Sequence, residues 1–399
     1  MSYVALYRKY RPKTFDEVRG QSAIVQTLRN QIISNRIGHA YLFCGPRGTG
    51  KTSIAKILSK AINCINPVNG NPCGTCECCK KTANGLNTDI IEIDAASNNG
   101  VDNIRELIEE SKYLPQHGKY KVYIIDEVHM LSNSAFNALL KTLEEPVSNT
   151  IFILATTEEN KIPATIYSRC QKFQFKLIKE EEIVNALQDI LSKENVQWEN
   201  DSVLMHIAKM ANGGLRDAFS LIDQCATYIT NDCITVENVQ DVFGEIKDTV
   251  ISTIAQCIED KNITKIFDIV SEQQQNGKTL SGICLDMYEY YKQTYFDRPE
   301  NDLIKIQRYM SILAELSEKM KYNNNRTVFE IEIIKMCTPQ METDYASLYQ
   351  RVQELEDIVA KLLNGHQTII SNPAPIDESE FVTIYASSHP QTCVETYYI

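Results

Sequence analysis

The stretch Tyr41-Leu42-Phe43-Cys44-Gly45-Pro46-Arg47-Gly48-Thr49-Gly50-Lys51-Thr52 decides the fold. A short apolar run enters a glycine-rich turn, and TSIAKILSKAI (52–62) then repeats apolar residues at helical spacing, with Ile54, Ile57, Leu58, Ala61 and Ile62 on one face. Strand, turn and helix are the setting in which G-x-x-x-x-G-K-[ST] cradles nucleotide phosphates. Gly45, Gly48 and Gly50 let backbone N–H groups approach the phosphates across Pro46, Arg47 and Thr49. Lys51 is placed to neutralise the β and γ oxygens, and the Thr52 hydroxyl to reach Mg²⁺. A chance glycine turn would lack both flanks.

Downstream, DIIEI (89–93), KVYIID (121–126), IFILAT (151–156) and KFQF (172–175) alternate with amphipathic helical stretches, the pattern of an α/β domain with a mostly parallel sheet. The β-branched strand VYIID ends in Asp126, followed by Glu127. An acidic pair alone is usually a solvated strand end. Behind a P-loop, Asp126 becomes the partner of Mg²⁺ through its water shell and Glu127 the base that polarises attacking water. ATP hydrolysis, not mere binding, is the expectation.

Beyond Lys179 the strand signals stop, and EEIVNALQDILSKE and DSVLMHIAKMAN read as helices of a small domain to about Gly244. Helical patterns continue through ISTIAQCIED, ITKIFDIVSEQ, LIKIQRYMSILAEL and VFEIEIIKMC, with no catalytic motif. Leu348, Val352, Leu355, Val359 and Leu362 follow a heptad seam of about two heptads, fewer than a coiled coil demands, so a helix packing on its own domain is expected. Residues 364–399 hold Asn-Pro, Ala-Pro and His-Pro steps without a sustained period and are expected to form a flexible tail.

A net charge of -12 excludes a protein whose whole surface binds polyanions, so any DNA contact must be local or shared among subunits. No apolar run is long enough to span a bilayer, and MSYVALYRKYRPK lacks the apolar centre of a signal peptide, so a cytoplasmic protein is expected. Cys64, Cys73, Cys76, Cys78 and Cys79 crowd one short segment rich in Asn, Pro and Gly, which cannot build an apolar core around buried thiols. Without an export signal the cluster favours metal over disulfides. Cys64, Cys73 and Cys76 with either Cys78 or Cys79 supply four thiolates, enough for a closed structural zinc site.

The ordered blocks DEVHMLSNSAFNALLKTLEEP (126–146), FILATTEENKIPATIYSRCQKF (152–173) and GGLRDAFSLIDQ (213–224) resemble the DNA polymerase III gamma/tau family of AAA+ ATPases. The resemblance runs from about residue 5 to 243 and more weakly to 337. It implies an α/β AAA+ P-loop core with a parallel sheet over 1–178, carrying a zinc insertion at about 64–79. A helical lid over 179–243 and an all-helical, oligomerising collar over 244–363 would follow. By similarity Cys79 is the fourth zinc ligand, Thr157 the sensor of the γ-phosphate and Arg216 the lid sensor. Arg169, in Ser168-Arg169-Cys170, would be the finger that reaches a neighbouring subunit's ATP, so that hydrolysis requires assembly. Tyr10, Arg11 and Pro12, which alone could pass for a base-stacking basic patch, would cup the adenine and phosphates. Lys141 resembles a position linking DNA contact to the nucleotide site.

The implied activity is that of an ATP-hydrolysing motor in the DNA polymerase III clamp loader, a component of a DNA-directed DNA polymerase. Its partners would be the delta and delta prime subunits, further copies of itself, the sliding clamp, and primer-template DNA without sequence specificity. Asn98-Asn99-Gly100 offers backbone donors but no arginine cluster, consistent with reading DNA structure at most. Long forms of the family carry further domains, and nothing after Cys337 resembles them, so a short or truncated form is expected. The rival readings are another DNA-associated AAA+ motor, disfavoured by the cysteine insertion, and a non-hydrolysing scaffold subunit, disfavoured by intact Lys51, Thr52, Asp126 and Glu127.

Overall fold

β-Branched and aromatic runs form the centre of the first unit. In the computed structural model, β1 (Ala40–Cys44), β2 (Ile90–Asp94), β3 (Lys121–Asp126), β4 (Thr150–Thr156) and β5 (Gln171–Gln174) make one parallel sheet in the order β2-β3-β4-β1-β5. The structure describes residues 3–229, 233–244, 246, 248–297, 300–320, 325–339 and 345–365; most of the expected tail lies outside them. The chain divides after Phe243 into two compact units.

Every residue of β1 and β4 is buried, as expected for strands covered by helices on both faces. Tyr41, Phe43, Phe173 and Phe175 fill one face, with Phe43 and Phe175 ring centroids 5.2 Å apart, while Tyr123 stacks on Phe152 at 5.4 Å on the other. The helix Lys51–Ile62 buries Ile54, Ile57, Leu58, Ala61 and Ile62, the face its spacing predicts. At roughly 1.5–3 kcal/mol for each fully buried large aliphatic side chain, this face holds the helix on the sheet and fixes the loop before it.

The strand order has a chemical consequence. β4 lies between β1 and β3, so the P-loop after β1 and the acidic pair ending β3 flank the carboxyl end of β4. Groups distant in sequence thus converge at one edge of the sheet, where ligands of open α/β sheets bind.

Helices Glu180–Glu194, Asp201–Met210, Leu215–Tyr228 and Val236–Phe243 follow, with a small parallel pair, β6 (Gln197–Trp198) and β7 (Cys233–Ile234). They share a core of Ile183, Leu187, Leu204, Ile207 and Ile222. The regular elements of the second unit, among its described residues, are all helices. Helices Asp248–Glu259, Ile263–Gln275, Leu280–Asp297, Glu300–Met320 and Arg326–Cys337 gather around Ile254, Ile266, Ile283, Leu313, Leu316 and Phe329. The final helix, Tyr345–Gly365, lies against Glu300–Met320. It packs on its own unit, as expected, but with the opposite face: Ser347 and Gln350 are buried while Leu348, Val352, Leu355, Val359 and Leu362 are exposed.

Candidate functional site

The P-loop opens into a cleft of about 1100 Å³ between the sheet edge and the lid helices. Two of its glycines are forced by space as much as by backbone conformation. Gly45 has φ +145°, and a Cβ there would stand 2.5 Å from the Phe175 carbonyl oxygen; at Gly48, with φ +76°, a Cβ would stand 2.9 Å from Gly214 Cα. The second contact binds loop to lid, and the Leu215 N–H also donates to the Gly48 carbonyl at 3.1 Å.

Lys51 is buried, its ammonium donating to the Gly45 and Pro46 carbonyls at 2.7 Å each. Burial lowers its pKa, while Glu127 and Asp126 act in the opposite sense. The Thr52 hydroxyl donates to Asp126 Oδ2 at 2.7 Å, so the two groups that sequence assigns to Mg²⁺ are already adjacent. A hydroxyl beside a carboxylate under a phosphate-binding loop is a donor set suited to that hard cation.

Glu127 sits in the left-handed region at φ 48°, ψ 45°, where a side-chain-bearing residue costs roughly 1–2 kcal/mol. Its carboxylate accepts the Thr157 hydroxyl at 2.9 Å and the Thr157 N–H at 3.3 Å. A further residue near it belongs to no motif in the sequence. His129 is nearly buried, with Nδ1 3.1 Å from Thr156 Oγ1 and 3.4 Å from Glu127 Oε2, and Nε2 3.2 Å from Glu158 Oε1. Its position three residues after Asp126 was visible; the approach of Thr156 and Glu158 comes from strand order.

Tyr10, Arg11, Pro12, Arg47, Gly48, Thr49, Gly50, Lys51, Thr52, Asp126, Glu127 and Arg216 all line the cleft. Arg11 Nε donates to Ser53 Oγ at 3.1 Å beside the P-loop helix, and the Tyr10 hydroxyl bonds Glu194 of the first lid helix. The Arg216 guanidinium lies 4.9 Å from the Tyr7 ring centroid, a cation–π contact. Gly45, Pro46 and Thr157 are not among the lining residues, but each bonds to one of them, Lys51 or Glu127. Arg169 is apart from it, donating to the Thr165 carbonyl at 2.7 Å and Ser168 Oγ at 3.0 Å and pairing with Glu144. Lys141 is exposed on the helix Asn133–Glu144, and Asn98-Asn99-Gly100 leads into the helix Val101–Ser111.

In the cysteine insertion, the sulfurs of Cys64, Cys73, Cys76 and Cys79 lie within 4.8 Å of one another, and Cys64 Sγ is 4.0 Å from Cys76 Sγ. Four thiolates at the ~2.3 Å zinc–sulfur distance stand about 3.8 Å apart in a tetrahedron, close to this arrangement. The Cys73 N–H points at Cys64 Sγ (3.2 Å) and the Cys76 N–H at Cys73 Sγ (3.3 Å). The Thr75 hydroxyl, then the Cys76 and Thr75 amides, pull the Cys73 thiol down to about 5. Cys78 is outside the cluster, buried and 3.5 Å from Asn87 Nδ2. The four cysteines are therefore suited to a structural zinc ion.

A P-loop, an acidic strand end, a polar residue on the intervening strand and a lid closing over the loop define an AAA+ ATPase core. Residues 20–179 match the family described as "DNA polymerase III, delta subunit", and residues 182–230 match "DNA polymerase III clamp loader subunit, ATPase lid domain". The chain is 42% identical over 390 residues to the DNA polymerase III subunit tau of Bacillus subtilis, covering 91% of this chain and 69% of that protein. It is 41% identical to the subunit tau of Escherichia coli, covering 72% of this chain but only 44% of the relative. The RuvB Holliday junction branch migration motor of Thermotoga maritima aligns at 19% identity with a TM-score of 0.46, over 66% of this chain and 85% of that one. The chain belongs to the DNA polymerase III gamma/tau family. Among the described residues no helix is long and apolar enough to cross a membrane.

Proposed function

We propose that this chain is the ATP-hydrolysing motor of a DNA polymerase III clamp loader, acting in the cytoplasm to open a sliding clamp and place it on primer-template DNA. The observation that carries the proposal is the hydrogen-bonded set at one sheet edge: Thr52 on Asp126, and Thr157 on Glu127, beside Lys51.

The amides that follow Gly45, together with Lys51, would hold the phosphates of ATP along the P-loop, and Tyr10, Arg11 and Pro12 would cup its adenine. Thr52 and Asp126 would hold Mg²⁺, which when bound would supply neutralisation of the phosphate oxygens. Glu127 orients the attacking water and accepts its proton. Thr157, bonded to that carboxylate, registers the γ-phosphate, and Arg216 reports it to the lid.

Arg169 stands outside the cleft of its own chain, which supports a role on a neighbour's ATP. On this reading residues 1–178 form the ATPase core, 179–243 the lid, 244–363 an oligomerising collar and 364–399 a tail. Delta, delta prime and further copies of this chain complete the ring, and a structural Zn²⁺ on Cys64, Cys73, Cys76 and Cys79 pins the insertion.

The test is ATP turnover of the reconstituted loader with clamp and primed DNA. Lys51→Ala and Arg169→Ala should each reduce the stimulated rate by at least ~10²-fold. Undiminished turnover in both would sink the assignment.

A further inference from the structure

We propose that the helix Tyr345–Gly365 is one strand of a parallel two-stranded coiled coil whose second strand is the same helix of another copy of this chain. The structure turns this helix inside out relative to an ordinary surface helix. Among its described side chains the buried ones are polar: Ser347 is 0% and Gln350 5% exposed. Both are held by the nearly buried Arg308, whose Nε donates to Ser347 Oγ at 2.9 Å and whose Nη1 donates to Gln350 Oε1 at 3.0 Å. The same guanidinium reaches the Met336 and Lys335 carbonyls, clamping the helix to its unit by its polar face.

The opposite face is apolar and open. Tyr345, Leu348, Val352, Leu355, Val359 and Leu362 are between 46% and 77% exposed. They recur at alternating spacings of three and four residues, the period of a left-handed supercoil. Taking Leu348 as a d position puts Leu355 and Leu362 also at d, and Tyr345, Val352 and Val359 at a. Ser347 and Gln350 then fall at c and f, the outer positions, which is where the clamp by Arg308 requires them.

Two features name the occupant. β-Branched residues at a with leucine at d favour two parallel strands over higher orders. Charge then fixes orientation. Arg351 stands at g and Glu356 at the following e, both exposed, so in a parallel pair Arg351 of each copy meets Glu356 of the other. A fully overlapped antiparallel pair would instead set Arg351 beside Ile358 and Glu356 beside Tyr349, leaving both charges without an opposite partner across the seam. The seam covers fewer than three heptads, so pairing adds to contacts that copies make elsewhere, at the raised effective concentration of an assembly. It needs neither ATP nor clamp, so its failure leaves the proposed function untouched.

The test uses the full chain under mild oxidation, with joined peptides identified by mass spectrometry to separate new links from native thiols. Leu348→Cys should link to itself, and so should Leu362→Cys, while Ala360→Cys at an outer position should not. Arg351→Glu or Glu356→Arg alone should lower the Leu362→Cys yield by about threefold or more through repulsion at two sites. The double exchange should restore it, as should mixing the two single variants. Links at 348 and 362 no more frequent than at 360, links only between 348 and 362 on mixing, or yields indifferent to the charge exchanges would each overturn the proposal. Circular dichroism melts of these surface variants exclude misfolding as the cause.

Discussion

Cys78 and Cys79 are adjacent in sequence but predicted to respond oppositely to the same change. Cys79 is the N-terminal-turn residue of the helix Glu77–Ala83 whose sulfur joins Cys64, Cys73 and Cys76, while Cys78 points to Asn87. Successive residues of a helix are about 100° apart around its axis, so Cys78 cannot replace Cys79 unless the whole helix turns. Cys78→Ala removes one buried sulfur, a loss of about 1 kcal/mol by comparison with a buried methylene. In a unit of this size that lowers Tm by roughly 2–4 °C, with bound zinc unchanged at one ion per chain. Cys79→Ala leaves three thiolates around an open position, in a segment whose Asn, Pro and Gly residues offer no apolar core. Zinc should be lost, with destabilisation of several kcal/mol or more confined to the insertion, given that structural zinc contributes on the order of 10 kcal/mol in small domains. The assay is zinc content after dialysis, paired with a thermal melt. One zinc per chain in Cys79→Ala, or none in Cys78→Ala, refutes the assignment of ligands.

Gly48→Ala should separate loop from lid. The left-handed φ costs an alanine roughly 1–2 kcal/mol, and its Cβ would press within 2.9 Å of Gly214 backbone, so affinity for a fluorescent ATP analogue should fall about tenfold while the fold survives. In the second unit Glu332 is buried between Lys319 (2.8 Å) and Lys335 (3.1 Å). Burial pushes its pKa up, but the two lysines outweigh it and hold the carboxyl below its usual 4.5. A depressed carboxyl stabilises the fold above that value and loses the contribution as pH falls through the depressed pKa. Thermal stability should therefore decline below about pH 4.5, and Glu332→Gln should be less stable at neutral pH with a shallower acid decline; an identical pH profile would remove the ion pairs from the account.

What the sequence made legible was local. The P-loop, its helix face and the five strands could be read because their signals lie within a dozen residues and need no partner. Asp126 and Glu127 gained meaning only from their strand, and the strand from its apolar run. The rest depended on topology. Nothing in the order of residues says that β4 runs between β1 and β3, so the bonds from Thr157 to Glu127 and the approach of His129 to Glu127, Thr156 and Glu158 had to wait for the sheet. The choice between Cys78 and Cys79 rested on resemblance until the helix showed which sulfur faces the cluster. The seam of the final helix reads as a core-facing stripe because hydrophobic residues usually are; a buried arginine about forty residues upstream reverses it.

The central claim is that this chain is a motor only in company, and Arg169 is where that claim can fail. Lys51→Ala chains keep the finger and lose the phosphate lysine; Arg169→Ala chains keep the lysine and lose the finger. Each should be nearly inactive in the loader with clamp and primed DNA. Mixed in equal amounts before assembly, they should recover activity, because random placement sets an intact P-loop beside an intact finger at about one like-subunit interface in four. Recovery toward that fraction is the predicted result; no recovery above the two single variants, or full activity of Arg169→Ala alone, would contradict it.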